Sequence, residues 1–273
     1  MKEYLPLRVR AKLLLRKLLP KSLFSAVHAI WAHTFAHFVK GQDILKHYTA
    51  IFLSQNPRAV QAGPFKSMQY VDMAVGSSYF HKLVGSYEAV LHPTIERIRG
   101  KKFDTVLDIG SAEGYYLIGF GRFYKDAHLV GFEIEEKGRQ LTEEMYTMNH
   151  LTNKLTLLGE ATAKNITPYI TNHTLLVCDC EGGELDILDP VTSPELLTVD
   201  MAIIELHDFI RPGIQESLTN RFKATHSVTI VPFVLADPKD FPFLASVSNK
   251  KDLYELRRER GWQEQNWMIL EKK

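Results

Sequence analysis

Small residues and acids alternate in Asp108-Ile-Gly110-Ser111-Ala112-Glu113-Gly114, directly after the apolar run Thr105-Val-Leu. Glycine at 110 and 114 lets the backbone turn sharply and approach a ligand closely. The residues from Tyr115 onward read as a helix, whose first N–H groups can hold a ligand's anionic or polar end. A second acid, Glu133, closes the apolar run His128-Leu-Val-Gly-Phe nineteen residues after Gly114. A carboxylate at such a strand end can accept both hydroxyls of a ribose, so the two features together point to a nucleoside-containing ligand. The dinucleotide fingerprint G-x-G-x-x-G, laid on Gly110, meets Ala112 and Tyr115 at its second and third positions. Tyrosine there removes the glycine that permits close helix–strand packing, which disfavours NAD.

These residues need a scaffold, and the chain is long enough to supply one. Its 273 residues are 45% hydrophobic and 24% charged, the balance of a folded protein. From Phe103 onward short apolar runs alternate with helical patterns. Strands are expected near 104–109, 128–133, 154–158, 174–179, 200–206, 226–232 and 265–271, with helices near 115–124, 136–149 and 183–189. Repeated β-α units imply an α/β fold, a mostly parallel sheet with helices on both faces. The chain divides into an N-terminal extension at 1–60, a pre-core helical segment at 61–100 and a core at 101–273. In the pre-core segment, one helix is expected from Tyr79 to Arg99, interrupted by Pro93.

The net charge of +1 hides an asymmetry: residues 1–21 hold seven Lys or Arg and one acid, leaving 26 basic and 31 acidic residues elsewhere. The near-neutral core argues against a nucleic-acid partner. Ser22 to Val39 carries no formal charge, but its histidines and hydroxyls make it a poor membrane span. Residues 1–40 read instead as a packed helix, or as an amphipathic arm for a membrane surface or a protein partner. His33 and His37 lie one helical turn apart but have no acid or thiol nearby to complete a metal site. Cys178 and Cys180 are too close for an unstrained bridge, so free thiols and a cytoplasmic, reducing location are expected, peripherally attached to membrane if the arm binds one. The apolar run after the basic arm lacks the small-residue cleavage site of a signal peptide.

The spacing Asp108-x-Gly110-x-Ala112-x-Gly114 resembles the first motif of class I methyltransferases that use S-adenosylmethionine (SAM). The resemblance implies a Rossmann-like, seven-stranded sheet. It also implies that Asp108 lies near the methionine amino group, that Gly110, Ser111, Ala112, Glu113, Gly114 and Tyr115 pass the cofactor, and that Glu160 and Ala161 lie beside the adenine. Asp179-Cys-Glu181-Gly-Gly-Glu184, the Glu205-Leu-His207 ending and Asn266-Trp-Met-Ile-Leu270 are similar to the FkbM-like branch, many of whose members are thought to methylate oxygen on sugars or polyketide-like products. The likeness covers about residues 60–273. It also implies that the segment before the first motif crosses the site, with Tyr87, Glu88 and His92 as lining residues for the acceptor; Glu88 and His92, four apart, would share a helix face.

Methyl transfer asks a protein to align acceptor and methyl group and to remove a proton from the acceptor. His207 is the natural general base because imidazole titrates near neutrality. Asp179, expected at the end of the neighbouring strand, orients it or binds the acceptor, and Glu181 is a further acceptor contact. A variant reading places a divalent cation such as Mg2+ between Asp179, His207 and Asp208, where it would lower a hydroxyl's pKa. Glu184 is expected to charge the first turn of the next helix. The Pro- and Phe-rich stretch Ala236–Phe243 reads as a lid or a packed loop. The expected activity is O-methylation of a small-molecule acceptor, a sugar, polyketide-like or lipid-linked hydroxyl. Methylation of protein or RNA, and a SAM-binding interaction module without catalysis, are the alternatives.

Overall fold

A computed structural model describes residues 41–259 and 265–273. The basic arm, the Ser22–Val39 stretch and the His33–His37 pair lie outside the described residues. The chain divides after His47, and residues Tyr48–Lys273 form one compact unit. Residues 41–47 fall before that division. They are helical. No helix among the described residues is long and apolar enough to cross a membrane.

All seven expected strands are present, with ends within two residues of their expected places. They are β1 (Thr105–Ile109), β2 (His128–Phe132), β3 (Leu155–Leu158), β4 (Thr174–Cys178), β5 (Met201–Glu205), β6 (His226–Val231) and β7 (Trp267–Lys272). Their spatial order is β3-β2-β1-β4-β5-β7-β6. Neighbours pair in parallel except around β7, which runs antiparallel to both β5 and β6. This is the Rossmann-like methyltransferase arrangement.

The central strands β1, β4 and β5 are buried along their whole length. That is why they read as unbroken apolar runs rather than as alternating ones. The edge strands β3 and β6 are only partly covered. The chain leaves β1 toward β2 on one side and reaches β4 on the other, so the order reverses between β1 and β4. The crevice of such a sheet opens there, beyond the carboxyl ends of the strands.

The helices are α1 (Tyr79–Val84), α2 (His92–Ile98), α3 (Tyr115–Phe123), α4 (Glu136–Met148), α5 (Ala163–Ile166), α6 (Glu184–Ile187), α7 (Ile214–Phe222), α8 (Pro242–Ala245) and α9 (Lys250–Leu256). The pre-core helix breaks eight residues earlier than Pro93 suggested, at Gly85. Gly85 takes φ 86°, and a Cβ there would lie 2.1 Å from the Ala62 carbonyl oxygen. Pro93 instead sits in the first turn of α2, where its missing N–H costs nothing. The same break corrects the expected pairing of Glu88 with His92. Glu88 has φ 47° and stands before a short 3-10 turn, so the two share no helix face. The Ala236–Phe243 stretch is a packed loop: Phe241 and Phe243 are buried, and Phe243 lies edge-on to Phe52 and Phe80.

The pre-core segment is bound to the core by charge as well as packing. Lys82 Nζ lies 2.6 Å from Glu113 Oε1, and both side chains are buried. Tyr70 Oη (2.5 Å) and Val75 N–H (3.0 Å) also donate to that carboxylate. Burial alone would raise the Glu113 carboxyl, but the charge and hydrogen bond of Lys82, with that of Tyr70, hold it below the usual range. Lys82→Met strands a buried carboxylate. It should cost about 3–5 kcal/mol in urea unfolding, and most of that should return in the Lys82→Met, Glu113→Gln double variant.

His81 and His92 are also packed in this segment, and burial pushes each down to about 4. A free histidine titrates near 6.5. Between those values the unfolded chain binds more protons than the folded one, so stability is full above about pH 6.5 and falls as pH drops toward 4. The urea midpoint measured across that window should show the loss, and His81→Gln with His92→Gln should flatten it.

Candidate functional site

The loop after β1 is held from three sides. Gly110 and Ser111 N–H both donate to Phe132 O of β2, at 2.8 and 3.0 Å. Ala112 N–H donates to Glu133 Oε2 (2.9 Å), and Thr142 of α4 donates its hydroxyl to Ala112 O (3.1 Å). Gly138 lets α4 come this close, since a Cβ there would meet Glu133 Cγ at 2.8 Å and Ala112 O at 2.9 Å. Gly110 has φ 81°, and a Cβ on it would lie 1.7 Å from Asp179 O at the end of β4. The loop therefore presses on the neighbouring strand end with nothing between.

Asp108 is buried at the end of β1, where its Oδ2 accepts from Leu117 N–H in α3 (3.1 Å). Burial first, and then the charge of Asp179, push its carboxyl up to about 8. Glu133 Oε1 accepts from Glu135 N–H (2.7 Å), and Arg139 holds the Glu133 carbonyl (2.6 Å). Beside it, Ile134 is 70% exposed. Ser111 Oγ is buried with no hydrogen-bond partner among the described residues. Asp108, Ser111 and Glu133 are thus brought to one end of the sheet, as their spacing suggested.

Other residues of the expected cofactor set have different occupations. Glu113 faces away into the Lys82–Tyr70 network described above. Tyr115 is buried in an aromatic cluster with Phe65, Tyr70 and Tyr87. Glu160 is exposed after β3, with its carbonyl oxygen accepting from Asn165, while Ala161 packs against the core. Among the expected acceptor contacts, Tyr87 is buried beneath Lys82 Nζ, 4.7 Å from the ring centroid. Glu88 accepts a short hydrogen bond from Tyr116 Oη. His92 is packed against Phe241.

At the ends of β4 and β5 the histidine is surrounded by acids. His207 is fully buried, and its Nδ1 lies 2.6 Å from Glu184 Oε1. A carboxylate has no proton to give, so Nδ1–H is the donor and Nε2 carries the lone pair or a second proton. Around Nε2 stand Glu205 Oε2 (3.5 Å), Glu181 Oε2 (3.5 Å) and Asp179 Oδ1 (3.6 Å). Burial works against a charged ring, but Glu184, Asp179 and Glu181 outweigh it and raise His207 above its ordinary value. The His207 interaction in turn holds Glu184 below the usual carboxylate range against the effect of burial.

Two expectations are corrected here. Asp208 stands outside the cluster: its carboxylate accepts from Gly213 and Gln215 N–H at the start of α7. Glu205 takes the place beside His207. Glu184 does open α6, yet its side chain is buried on the imidazole instead of facing solvent. Cys178 and Cys180 are free thiols, with sulfurs 3.5 Å apart.

No family model matches the chain, and no curated protein does. Solved structures resemble it. TrmN from Thermus thermophilus is 13% identical, over 70% of this chain and 49% of that one, with a TM-score of 0.44. The chain thus spans about half the length of that protein. The O-methyltransferase TomG from Streptomyces achromogenes, in complex with SAM, is 14% identical over 69% of this chain and 81% of its own, with a TM-score of 0.45. A precorrin-6y C5,15-methyltransferase from Geobacter metallireducens is 10% identical over 76% and 94%, with a TM-score of 0.48. Likeness at this identity concerns the fold, which the strand order already defines.

Proposed function

We propose that the chain is a SAM-dependent methyltransferase acting on a hydroxyl of a small molecule. One observation carries the reading: a glycine-turned loop after β1 and an acid after β2 lie at the same end of the sheet as a histidine–carboxylate cluster after β4 and β5, with Gly110 pressed on the Asp179 peptide. In this reading Glu133 binds the ribose hydroxyls, Asp108 the amino group and Ser111 Oγ a polar edge of the cofactor. Ile134 offers an exposed apolar surface to the adenine. When bound, SAM supplies a methyl group already activated by the sulfonium charge.

The chain's own work lies on the acceptor side. The hydroxyl proton leaves toward the His207–Asp179 pair, with Glu184 fixing the ring and Glu181 at the open edge. The acceptor oxygen gains the methyl carbon as the carbon–sulfur bond breaks, and S-adenosylhomocysteine leaves with one proton released. A small hydroxylated acceptor suits this cluster better than a nucleic acid, which needs a basic face.

Calorimetric titration with SAM, S-adenosylhomocysteine and NAD tests the reading. Binding of the first two and not of NAD is expected. Asp108→Asn and Glu133→Ala should each weaken SAM by tenfold or more, about 1.4 kcal/mol. Binding of NAD alone, or unchanged SAM affinity in both variants, would overturn it.

A further inference from the structure

Nε2 of His207 is fully buried and has no hydrogen-bond partner among the described residues; Asp179 Oδ1 beside it is in the same position. Both atoms point into the space they share with Glu205. One ligand atom each from Asp179, Glu205 and His207 lies within 4.8 Å of the others. These separations are too long for hydrogen bonds. A single N–H on Nε2 could also serve only one of the oxygens around it. A tetrahedral ion about 2.1 Å from each ligand sets its ligands about 3.4 Å apart, close to the observed 3.5 and 3.6 Å.

The far side of the ring fits the same purpose. Metal-bound histidines donate their other N–H to a carboxylate, which fixes the tautomer and raises the basicity of the ligating nitrogen. The Nδ1–H to Glu184 bond at 2.6 Å is such an arrangement. We infer that Asp179, Glu205 and His207 hold one divalent cation, with Glu184 as the positioning residue behind His207. Two carboxylates and an imidazole favour an ion that accepts both oxygen and nitrogen, such as Mn2+ or Zn2+, over Mg2+.

The inference rests on the methyl-transfer reading for its purpose but not for its ligands. A cation here would bind the acceptor oxygen and lower its pKa. With the cation held, His207 and Asp179 would be its ligands and no longer the base, so on breaking of the O–H bond the hydroxyl proton would pass instead to Glu181, 72% exposed at the rim, and out to solvent. The oxygen keeps the electron pair that forms the new bond to carbon.

The test uses the full chain, stripped with EDTA and titrated with MnCl2. Loss of the free Mn2+ electron-spin-resonance signal counts the bound ion. One Mn2+ per chain is expected, released again by EDTA. Asp179→Asn and Glu205→Gln should each weaken it at least tenfold, and Glu184→Gln about tenfold to a hundredfold. Circular dichroism and SAM titration of each variant check that the fold is intact. No Mn2+ uptake by chain that binds SAM would overturn the cation and leave the methyl-transfer reading standing. Uptake unchanged in both ligand variants would also overturn it. Uptake that depends on these residues in chain that binds no SAM would uphold the cation and overturn the methyl-transfer reading.

Discussion

The contact between Gly110 and the end of β4 fixes the two halves of the site to each other. A loop that turns back over the sheet at its switch point has to cross a neighbouring strand end. Here it crosses so closely that a Cβ on Gly110 would sit 1.7 Å from Asp179 O. Only glycine satisfies that contact together with φ 81°. The peptide it touches carries the Asp179 side chain. The glycine loop and the histidine–carboxylate cluster are therefore set against each other by backbone, not by flexible side chains. The Asp179 N–H bond to Ile109 O (2.9 Å) ties the same two strand ends, while Phe132 O, Glu133 and Thr142 support the loop and Glu184 supports the imidazole.

That rigidity is what alignment of two reactants requires, because a displacement of about an ångström is enough to lose most of the gain from proximity. It also explains the buried pair Lys82–Glu113. Glu113 belongs to the loop, yet its carboxylate reaches backward to α1 and to Tyr70. Through it the pre-core segment grips the loop from behind. A charged pair in that position is a stiff tie, since neither partner can be withdrawn without leaving the other buried and alone.

Much of this was legible in the residues. β1, β4 and β5 announced themselves as apolar runs because burial on both faces leaves no room for alternation. The loop was visible because its glycines and the acid at 133 are local in sequence. What stayed hidden depends on tertiary neighbours. Glu184 and His207 are far apart in the chain, and no periodicity links a helix start to a strand end. The exchange of Asp208 for Glu205 was readable, however. Side chains two apart in extended backbone share a face, so Glu205 and His207 point together and Asp208 points away. Glu113 misled for the opposite reason: it sits inside the motif, but its partner Lys82 comes from a segment that no spacing rule connects to it. The broken pre-core helix turned on Gly85, whose role is a close approach to Ala62 that only the folded chain reveals.

For the proposed reaction, the distribution of charge divides the labour. For the charge at this end of the sheet, Glu133 and Asp179 are the acids that count, because burial and then the nearby Asp179 push the Asp108 carboxyl up to about 8 and leave it largely protonated at neutral pH. A sulfonium donor is drawn to those two carboxylates, so an anionic wall binds it well. The same wall cannot supply rate, because the transition state has already lost part of the positive charge that the wall prefers. Interactions that strengthen only in the ground state do not accelerate a step. Acceleration must then come from the other reactant, by holding the oxygen in line and removing its proton. That demand falls on the cluster around His207, and it accounts for placing four acids about one buried ring at the end of β5.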